Sequence, residues 1–266
     1  MSEPTADCAA VAAEAVRASG DYLREAFRNG RVEGDYDSLD VKAVADREAQ
    51  RRVRSVIEAN YPDHAFDGEE SDFTTTDYDY RWVVDPLDGT NNFASGLPKF
   101  ASAVAVLYKR APVVAAIYEP LVDDLYIAER DGGATLNGEP LRAADGSSLP
   151  LAHGTVAFVV GLGAVTDPEL AQQAETLEGA LGDHCKRVVT TWAPCVDWGL
   201  LARGSIEGLV CFHPDGYEHH AGSLLAAESG IEAVDTVAEN GRYVGAPDAE
   251  TAARLAETVD ETLSGY

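Results

Sequence analysis

The residues best suited to chemistry in this 266-residue chain lie between Trp82 and Phe93, in the stretch WVVDPLDGTNNF. Asp85 and Asp88 flank a proline-containing turn, so both carboxylates and the carbonyl groups between them could converge on one point. Hard divalent cations such as Mg²⁺ favour such all-oxygen ligands. Gly89 permits a tight turn, and Thr90 or Asn91 could cap a following helix whose N–H groups hold an anion. The spacing therefore indicates a site that binds a metal ion and a phosphate group together. The alternative is an ordinary turn, since Asp, Pro and Gly commonly form turns.

A second acidic cluster, DGEES from Asp67 to Ser71, lies upstream of this stretch and follows an apolar pair. The two motifs, in this order, resemble those of the inositol monophosphatase superfamily. That superfamily includes inositol monophosphatases, archaeal-type fructose-1,6-bisphosphatases and 3′-nucleotide phosphatases. The resemblance covers most of the chain and is most specific between Asp46 and Phe93. It implies an α/β fold class, with an α+β half and an α/β half in a layered α-β-α-β-α sugar-phosphatase fold.

The resemblance also implies a set of metal ligands. Glu69, Asp85 and the main-chain carbonyl of Leu87 would hold a first Mg²⁺. Asp85 would bridge to a second Mg²⁺, which Asp88 and a carboxylate from the C-terminal half would also hold. Two or three ions are implied in total, with Mn²⁺ as a substitute for Mg²⁺ and Li⁺ as an inhibitor.

Catalytic roles follow from the same resemblance. Thr90 matches the partner of the nucleophilic water, and Asp46 matches an upstream aspartate that hydrogen-bonds this threonine. Glu69 would act on the same water as a metal ligand. Glu70 would not bind the metal itself but would orient the carboxylates that do. The backbone N–H groups of Gly89 and Thr90 would bind the phosphate.

The C-terminal signature departs from the superfamily pattern W-D-x-A-A-G, because residues 217–222 read YEHHAG. Glu218 replaces the aspartate that binds the second metal and is one methylene longer. We expect it to remain a metal ligand; the alternative is a helix N-terminal carboxylate favoured by the helix dipole, with weakened activity. His219 and His220 raise the alternative of a zinc site. Their spacing fits no common zinc motif, and adjacent helical side chains point about 100° apart.

The residues that would contact the substrate are harder to assign. The segment APCVD, which ends at Asp197, resembles the G-S-A-A-x-D segment of the superfamily. The resemblance therefore implies that Asp197 binds substrate, and Asp88 of the upstream motif is also expected to bind it. A glutamate that inositol monophosphatases carry about seven residues before the second-metal carboxylate falls here at Cys211, which argues against strict inositol specificity. Arg187 and Arg203 are candidates to bind a second phosphate or, alternatively, to pair with surface carboxylates.

Charge dominates the composition. The chain has 20 Lys and Arg against 46 Asp and Glu, a formal net charge of −26. Such a surface repels nucleic acid and anionic membranes, so neither is expected as a partner. Because concentrated salt would screen the self-repulsion, we predict a cytoplasmic protein from a halophile. An acidic protein from an ordinary cell is the alternative. The four cysteines show no C-x-x-C spacing, and we expect neither a secretory signal nor a membrane-spanning segment, so they are predicted to be free thiols in a reducing compartment.

The order of predicted elements indicates two subdomains, residues 1–147 with the main metal motifs and residues 148–266 completing the site. Helices are predicted over 3–27 and 41–60, with a loop at 35–40 between them. The second helix carries its apolar residues on one face, which is expected to be buried: Val44, Ala45, Ala49, Val53 and Ile57. A run of strands follows and ends in a hairpin at Asn137-Gly138. After the boundary, strands and helices alternate, which is typical of α/β structure. The last strand is predicted at 231–234, before a terminal helix.

The sequence thus predicts Mg²⁺-dependent hydrolysis of a small phosphate monoester by a metal-activated water. Inositol 1-phosphate and fructose 1,6-bisphosphate are the expected substrates. The alternatives are a 3′-phosphoadenosine 5′-phosphate phosphatase and a catalytically impaired homologue that binds a ligand. The resemblance implies a homodimer.

Overall fold

The structure is a computed structural model that describes residues 5–30, 34–36, 41–69, 78–146 and 149–266. The chain divides into two compact units. The first unit contains residues 1–140 together with two later segments, 192–196 and 217–228. The second unit contains residues 141–191, 197–216 and 229–266.

The elements are numbered in chain order. The helices of the described residues are α1 (Thr5–Arg28), α2 (Val44–Asn60), α3 (Thr90–Ser95), α4 (Leu162–Thr166), α5 (Pro168–Gly182), α6 (Pro194–Ala202), α7 (Gly216–Glu228), α8 (Val237–Asn240) and α9 (Ala249–Leu263). The strands are β1 (Gly34–Tyr36), β2 (Val41–Ala43), β3 (Ala65–Gly68), β4 (Tyr80–Asp88), β5 (Ala101–Tyr108), β6 (Ala111–Glu119), β7 (Asp124–Glu129), β8 (Gly133–Leu136), β9 (Glu139–Leu141), β10 (Thr155–Val160), β11 (Arg187–Val189), β12 (Gly208–Phe212), β13 (Glu232–Thr236) and β14 (Arg242–Ala246).

The first unit is built on a sheet of order β3-β4-β5-β6-β7-β8-β9. Strand β3 pairs parallel to β4, and the pairs from β4 to β8 are antiparallel. Helices α1 and α2 pack on each other and on this sheet. Apolar residues from both helices and from β4, β5 and β6 form one buried cluster, so burial of apolar surface fixes α2 beside β4.

The predicted hairpin at Asn137-Gly138 is confirmed. Both residues have positive φ, 53° and 85°, as a two-residue type I′ turn between β8 and β9 requires. The Asn137 side chain also accepts a 2.9 Å hydrogen bond from the Leu125 backbone N–H. Turn chemistry of this kind is local, which explains why the sequence predicts it well.

The second unit holds a mixed sheet of order β11-β10-β12-β14-β13. Strand β10 runs parallel to β11 and β12, whereas β14 is antiparallel to β12 and β13. Helices α5 and α9 share a buried cluster with β10, β12 and β14. The described structure is therefore α/β, as predicted. Strand β14 was not predicted, because this five-residue segment is defined by its pairing with β12 and β13, which periodicity does not reveal.

Two other local predictions were wrong. The second helix was predicted from residue 41, but 41–43 form β2, paired antiparallel with β1, and the helix begins at Val44. The predicted loop at 35–40 overlaps β1, and its remainder lies outside the described residues. Such short strand pairing depends on a partner segment that periodicity does not reveal. Among the described helices, none has the length and apolar character needed to cross a membrane.

Candidate metal and phosphate site

The two aspartates of the DPLD motif lie in one strand rather than in a turn after a strand. Strand β4 continues to Asp88, and its pairing with β5 shifts register between Asp85 and Asp88. Residues three apart in a regular strand point to opposite faces of the sheet. A bulge inserts one extra residue and re-aims the side chains that follow it. As a result, both aspartates offer a carboxylate oxygen to the same small group of ligand atoms, all within 4.8 Å of one another.

The turn after β4 depends on glycine, as predicted. Gly89 has φ of 87° and is itself the N-cap of α3, so the prediction that Thr90 or Asn91 caps this helix was wrong. The Thr90 hydroxyl instead donates a 2.9 Å hydrogen bond to the Leu87 carbonyl. A Cβ added to Gly89 would lie 2.8 Å from the Lys99 carbonyl oxygen. Both the backbone angle and the space therefore demand glycine.

Asp85 is the electrostatic centre of the site. Burial raises the pKa of its carboxyl well above the usual value, and the carboxylates of Glu218 and then Asp46 raise it further. A 3.1 Å hydrogen bond from the Leu87 N–H and a hydrogen bond with Glu69 oppose this shift. The site therefore gathers several acidic side chains around one buried carboxylate.

Three different elements bring these acidic groups to Asp85. Asp46 lies in the first turn of α2, within the predicted second helix, and it is buried there. Glu69 follows β3, and its N–H donates a 3.2 Å hydrogen bond to the Val84 carbonyl of the neighbouring strand. Glu218 is buried in the first turn of α7. All of them belong to the first unit, because segment 217–228 is part of it.

Cys195 is a member of the site that sequence reasoning missed. Its backbone N–H donates a 2.9 Å hydrogen bond to Asp88 Oδ2. Its sulfur belongs, with oxygens of Asp85 and Asp88, to the group of ligand atoms within 4.8 Å of one another. The APCVD segment marked this region, but nothing in its letters signals that the second residue of α6 touches a residue so far away in sequence. Ala193 also approaches the site, 3.1 Å from the position of a Cβ on Gly89.

Other predicted site residues have hydrogen-bond partners away from Asp85 or lie outside the described residues. Asp197 is buried in the second unit, where its Oδ2 accepts a 2.7 Å hydrogen bond from Thr191 Oγ1, so its substrate contact stays a prediction. The same holds for a hydrogen bond between Thr90 and Asp46. Glu70 lies outside the described residues. Arg187 donates a 3.1 Å hydrogen bond to Thr155 Oγ1.

The alternative zinc site at His219 and His220 gains no support. Their ring centroids are 6.4 Å apart, and in the part of the chain that is described neither joins a group of three close metal-ligating side chains. Tetrahedral zinc needs convergent nitrogen or sulfur ligands. These histidines do not provide them together.

The acidic site suits a divalent cation. Asp46, Asp85, Asp88 and Glu218 are each less than 10% exposed, and the charged groups that raise the pKa of Asp85 are themselves acidic. Buried carboxylates close together repel one another and lose hydration, a cost that a bound cation offsets. Oxygen ligands of this kind are those that Mg²⁺ prefers. The donor set therefore fits the metal that the family resemblance implies.

The chain is similar to proteins of one family along nearly its whole length. The sequence model of the inositol monophosphatase family matches residues 5–264. The protein named Nus factor SuhB of Escherichia coli K12 is 32% identical over 227 residues, 83% of this chain and 82% of its own length. An Aquifex aeolicus protein named fructose-1,6-bisphosphatase/inositol-1-monophosphatase is 29% identical over 222 residues, 83% of this chain and 82% of its own.

Among solved structures, the extragenic suppressor protein suhB of Bartonella henselae is similar, with a TM-score of 0.85 and 22% identity. The match covers 96% of this chain and 99% of the other. At this level of identity the likeness establishes the fold. The family match over nearly the whole chain establishes the relationship.

Proposed function

Because this chain belongs to the inositol monophosphatase family, whose members are metal-dependent phosphatases acting on phosphoric monoesters, we propose that its substrates are small sugar or cyclitol phosphates. Inositol 1-phosphate and fructose 1,6-bisphosphate are the two proposed substrates. The name of the Aquifex aeolicus relative includes both activities, which supports testing both together.

One observation carries this proposal: the register shift that brings Asp85 and Asp88 to one point. A turn built only from Asp, Pro and Gly would not need two buried carboxylates within reach of a third at Glu218. Burying like charges is costly unless something compensates them. A bound cation would compensate these charges, which explains why the carboxylates are buried close together.

The proposed ligands of the ions are Glu69, Asp85, the Leu87 carbonyl, Asp88 and Glu218. When bound, such ions lower the pKa of a coordinated water and neutralise charge on phosphoryl oxygens. We propose two or three Mg²⁺, with Mn²⁺ as a substitute and Li⁺ as an inhibitor. The extra methylene of Glu218 is compatible with this role if the carboxylate binds with a small shift.

The protein's own groups would hold the phosphate and orient the water. The N–H groups of Gly89 and Thr90 are proposed to bind phosphoryl oxygens, because α3 begins there. The Thr90 hydroxyl would position the water, supported by Asp46 at the start of α2. Asp88 and Asp197 are proposed to contact the substrate. Glu70 is proposed to orient the ligating carboxylates.

The residue at the usual inositol-binding glutamate favours a broad substrate range. Cys211 is buried in β12, opposite Tyr243 of β14, and cannot accept hydrogen bonds from ring hydroxyls as a carboxylate would. A site without that contact loses part of its discrimination between polyols. We therefore expect both inositol 1-phosphate and fructose 1,6-bisphosphate to be hydrolysed.

The test is phosphate release with Mg²⁺ from inositol 1-phosphate, fructose 1,6-bisphosphate and 3′-phosphoadenosine 5′-phosphate. Turnover of either of the first two supports the proposal, and a strong preference for the third would support a nucleotide phosphatase. Mg²⁺ binding without turnover on all three would support an impaired homologue. In the active case Glu218→Asp, which restores the superfamily ligand, should raise turnover, whereas Glu119→Asp at another buried glutamate should not.

We also propose that the protein works in the cytoplasm of a halophile and forms a homodimer. A net charge of −26 predicts a thermal unfolding midpoint that rises from about 0.1 M to about 3 M KCl as the charges are screened. A midpoint that is already maximal in dilute buffer would contradict the halophile proposal. Light scattering of the purified protein decides its oligomeric state.

A further inference from the structure

The three tryptophans of the chain, all within the described residues, differ sharply in exposure. Trp82 and Trp198 are fully buried, whereas Trp192 is 46% exposed. Trp192 lies between β11 and α6, in the short segment 192–196 that belongs to the first unit. An accessible indole can give a ligand bound beside it a large and rigid contact area.

The backbone at Trp192 is in an unfavourable conformation. Its φ is 57°, in the left-handed region that bulky residues rarely adopt. Counting back from Asp197 along the G-S-A-A-x-D pattern aligns Trp192 with the leading glycine, which would adopt this φ without strain. Residues held in such conformations concentrate at ligand sites, where the surrounding structure maintains them.

The residues that follow Trp192 in the chain contact the candidate metal and phosphate site at Gly89 and Asp88. Ala193 lies 3.1 Å from the position of a Cβ on Gly89, and the N–H of Cys195 is bonded to Asp88. Adjacent Cα atoms are about 3.8 Å apart, so the backbone of Trp192 is one residue from a contact with Gly89. Trp192 is therefore an exposed aromatic residue that directly precedes the segment approaching Gly89 and Asp88.

We propose that Trp192 is a specificity-determining residue, whose indole face stacks on the saturated ring of a sugar or cyclitol leaving group. This inference rests on the proposed function and names the part of the substrate that the acidic site does not recognise. The C–H face of a polyol ring is apolar and carries partial positive charge, which suits the negative face of an aromatic ring. The hydroxyl groups at the ring edge remain available to polar partners.

Steady-state kinetics with ring and acyclic substrates tests the proposal. For inositol 1-phosphate and fructose 1,6-bisphosphate, Trp192→Ala should raise KM about 3- to 10-fold, the range expected for loss of one aromatic contact. Trp192→Phe should retain most of the affinity. For glycerol 2-phosphate, which has no ring, KM should be the same in all variants. Equal KM values for ring substrates in wild type and Trp192→Ala would overturn the proposal.

Trp192→Gly separates binding from folding. Glycine relaxes a residue at φ of 57°, so this variant should unfold at the same temperature as Trp192→Ala or higher. Its KM for ring substrates should nevertheless rise as much as that of Trp192→Ala. If Trp192→Gly instead recovers both the unfolding temperature and the KM of wild type, Trp192 affects binding only by stabilising the fold.

Fluorescence gives a readout that does not depend on turnover. Since the other two tryptophans are buried, the exposed indole should dominate the change on binding inositol 1-phosphate, read before turnover by stopped flow. The change should disappear in Trp192→Phe. An unchanged signal in that variant would overturn the proposal. A larger effect of Trp192→Ala on an adenosine phosphate than on inositol 1-phosphate would overturn the polyol assignment in favour of a nucleobase.

The outcomes distinguish this inference from the proposed function. If the wild type hydrolyses ring substrates but the Trp192 variants behave like it, the inference alone fails. If the wild type releases no phosphate from any of them, the proposed function fails. The fluorescence titration with inositol 1-phosphate still decides the role of Trp192 in that case.

Discussion

The backbone N–H of Cys195 donates a 2.9 Å hydrogen bond to Asp88 Oδ2, joining residues 107 positions apart. This bond ties the first turn of α6 to the end of β4. It holds one oxygen of a proposed metal ligand in place and satisfies part of the hydrogen-bonding capacity of a buried carboxylate. It also brings a thiol to the edge of a site otherwise made of oxygen atoms.

The first prediction concerns that thiol. Soft cations prefer thiolate ligands, so Cd²⁺ should bind through the sulfur of Cys195 together with Asp85 and Asp88. Cys195→Ala keeps the backbone donor to Asp88 and removes only the sulfur, which Mg²⁺ does not favour as a ligand, so activity with Mg²⁺ should stay close to that of wild type. Titration with Cd²⁺ should produce ultraviolet absorption of a cadmium–sulfur bond in wild type but not in this variant.

Cys8→Ala is the matched control, because Cys8 is a buried thiol of α1 in the same unit. Its cadmium absorption should equal that of wild type. Absorption that persists in Cys195→Ala would show that the sulfur is not a ligand.

The second prediction concerns the turn at Gly89. Gly89→Ala forces a residue with a side chain to φ of 87° and brings its Cβ to 2.8 Å from the Lys99 carbonyl oxygen. Gly96→Ala is the control, since Gly96 has φ of 79° with nothing within 4 Å of the added atom. Both should lose about 1 kcal/mol from backbone strain, and Gly89→Ala about 1–3 kcal/mol more from the clash. Urea unfolding measures both. Equal losses would mean that the turn relaxes freely.

The third prediction concerns the repulsion between Glu218 and Asp85. Glu218→Gln removes a like charge beside a buried carboxylate, so the metal-free protein should become more stable. The same variant should gain less stability than wild type from added Mg²⁺, because one ligand is lost. Thermal unfolding with EDTA and with Mg²⁺ gives both values. Glu119→Gln changes a buried glutamate that accepts a hydrogen bond from the Tyr126 hydroxyl, and it should neither stabilise the metal-free protein nor reduce the stability gained from Mg²⁺.

The fold and the site differ in how far sequence predicts them. Long helices and the hairpin at Asn137-Gly138 follow from local chemistry, so the sequence predicts them well. The convergence of Asp85 and Asp88 was predicted correctly but for a different local geometry. The prediction relied on a turn, whereas the structure uses a bulge, and a bulge depends on the partner strand β5.

The position of Cys195 in the site could not be predicted from the sequence. The residue carries no motif of its own, and its contact with Asp88 exists because segment 192–196 joins the first unit. Similarly, Val44 was expected on the buried face of α2 but is 44% exposed at the first residue of the helix, while the polar Asp46 is buried. Burial of a polar site residue cannot be read from hydrophobic periodicity.

The fourth prediction concerns pH and His213 in the second unit. Burial, and then the charge of Arg242, lower the pKa of His213 below its ordinary value. The unfolded chain therefore takes up a proton near pH 6.5 before the folded protein does. Stability should be independent of this residue above about pH 6.5 and should fall as the pH drops from there towards the folded pKa.

His213→Asn tests this assignment, because asparagine does not titrate and tolerates the φ of 48° found here. Chemical unfolding between about pH 5.5 and 7.5 should give a shallower loss of stability on acidification than in wild type. Parallel curves for the two proteins would contradict the assignment.

The most direct test of the central claim is Mg²⁺-dependent phosphate release from inositol 1-phosphate and fructose 1,6-bisphosphate by wild type and Asp85→Asn. We expect wild-type turnover that EDTA abolishes, and a loss of at least about 100-fold in Asp85→Asn, since even supporting residues of metal sites contribute 10- to 100-fold. Asp167→Asn, which retains a side chain able to cap α5, should match wild type. Asp85→Asn turnover equal to wild type would contradict the assignment of this site.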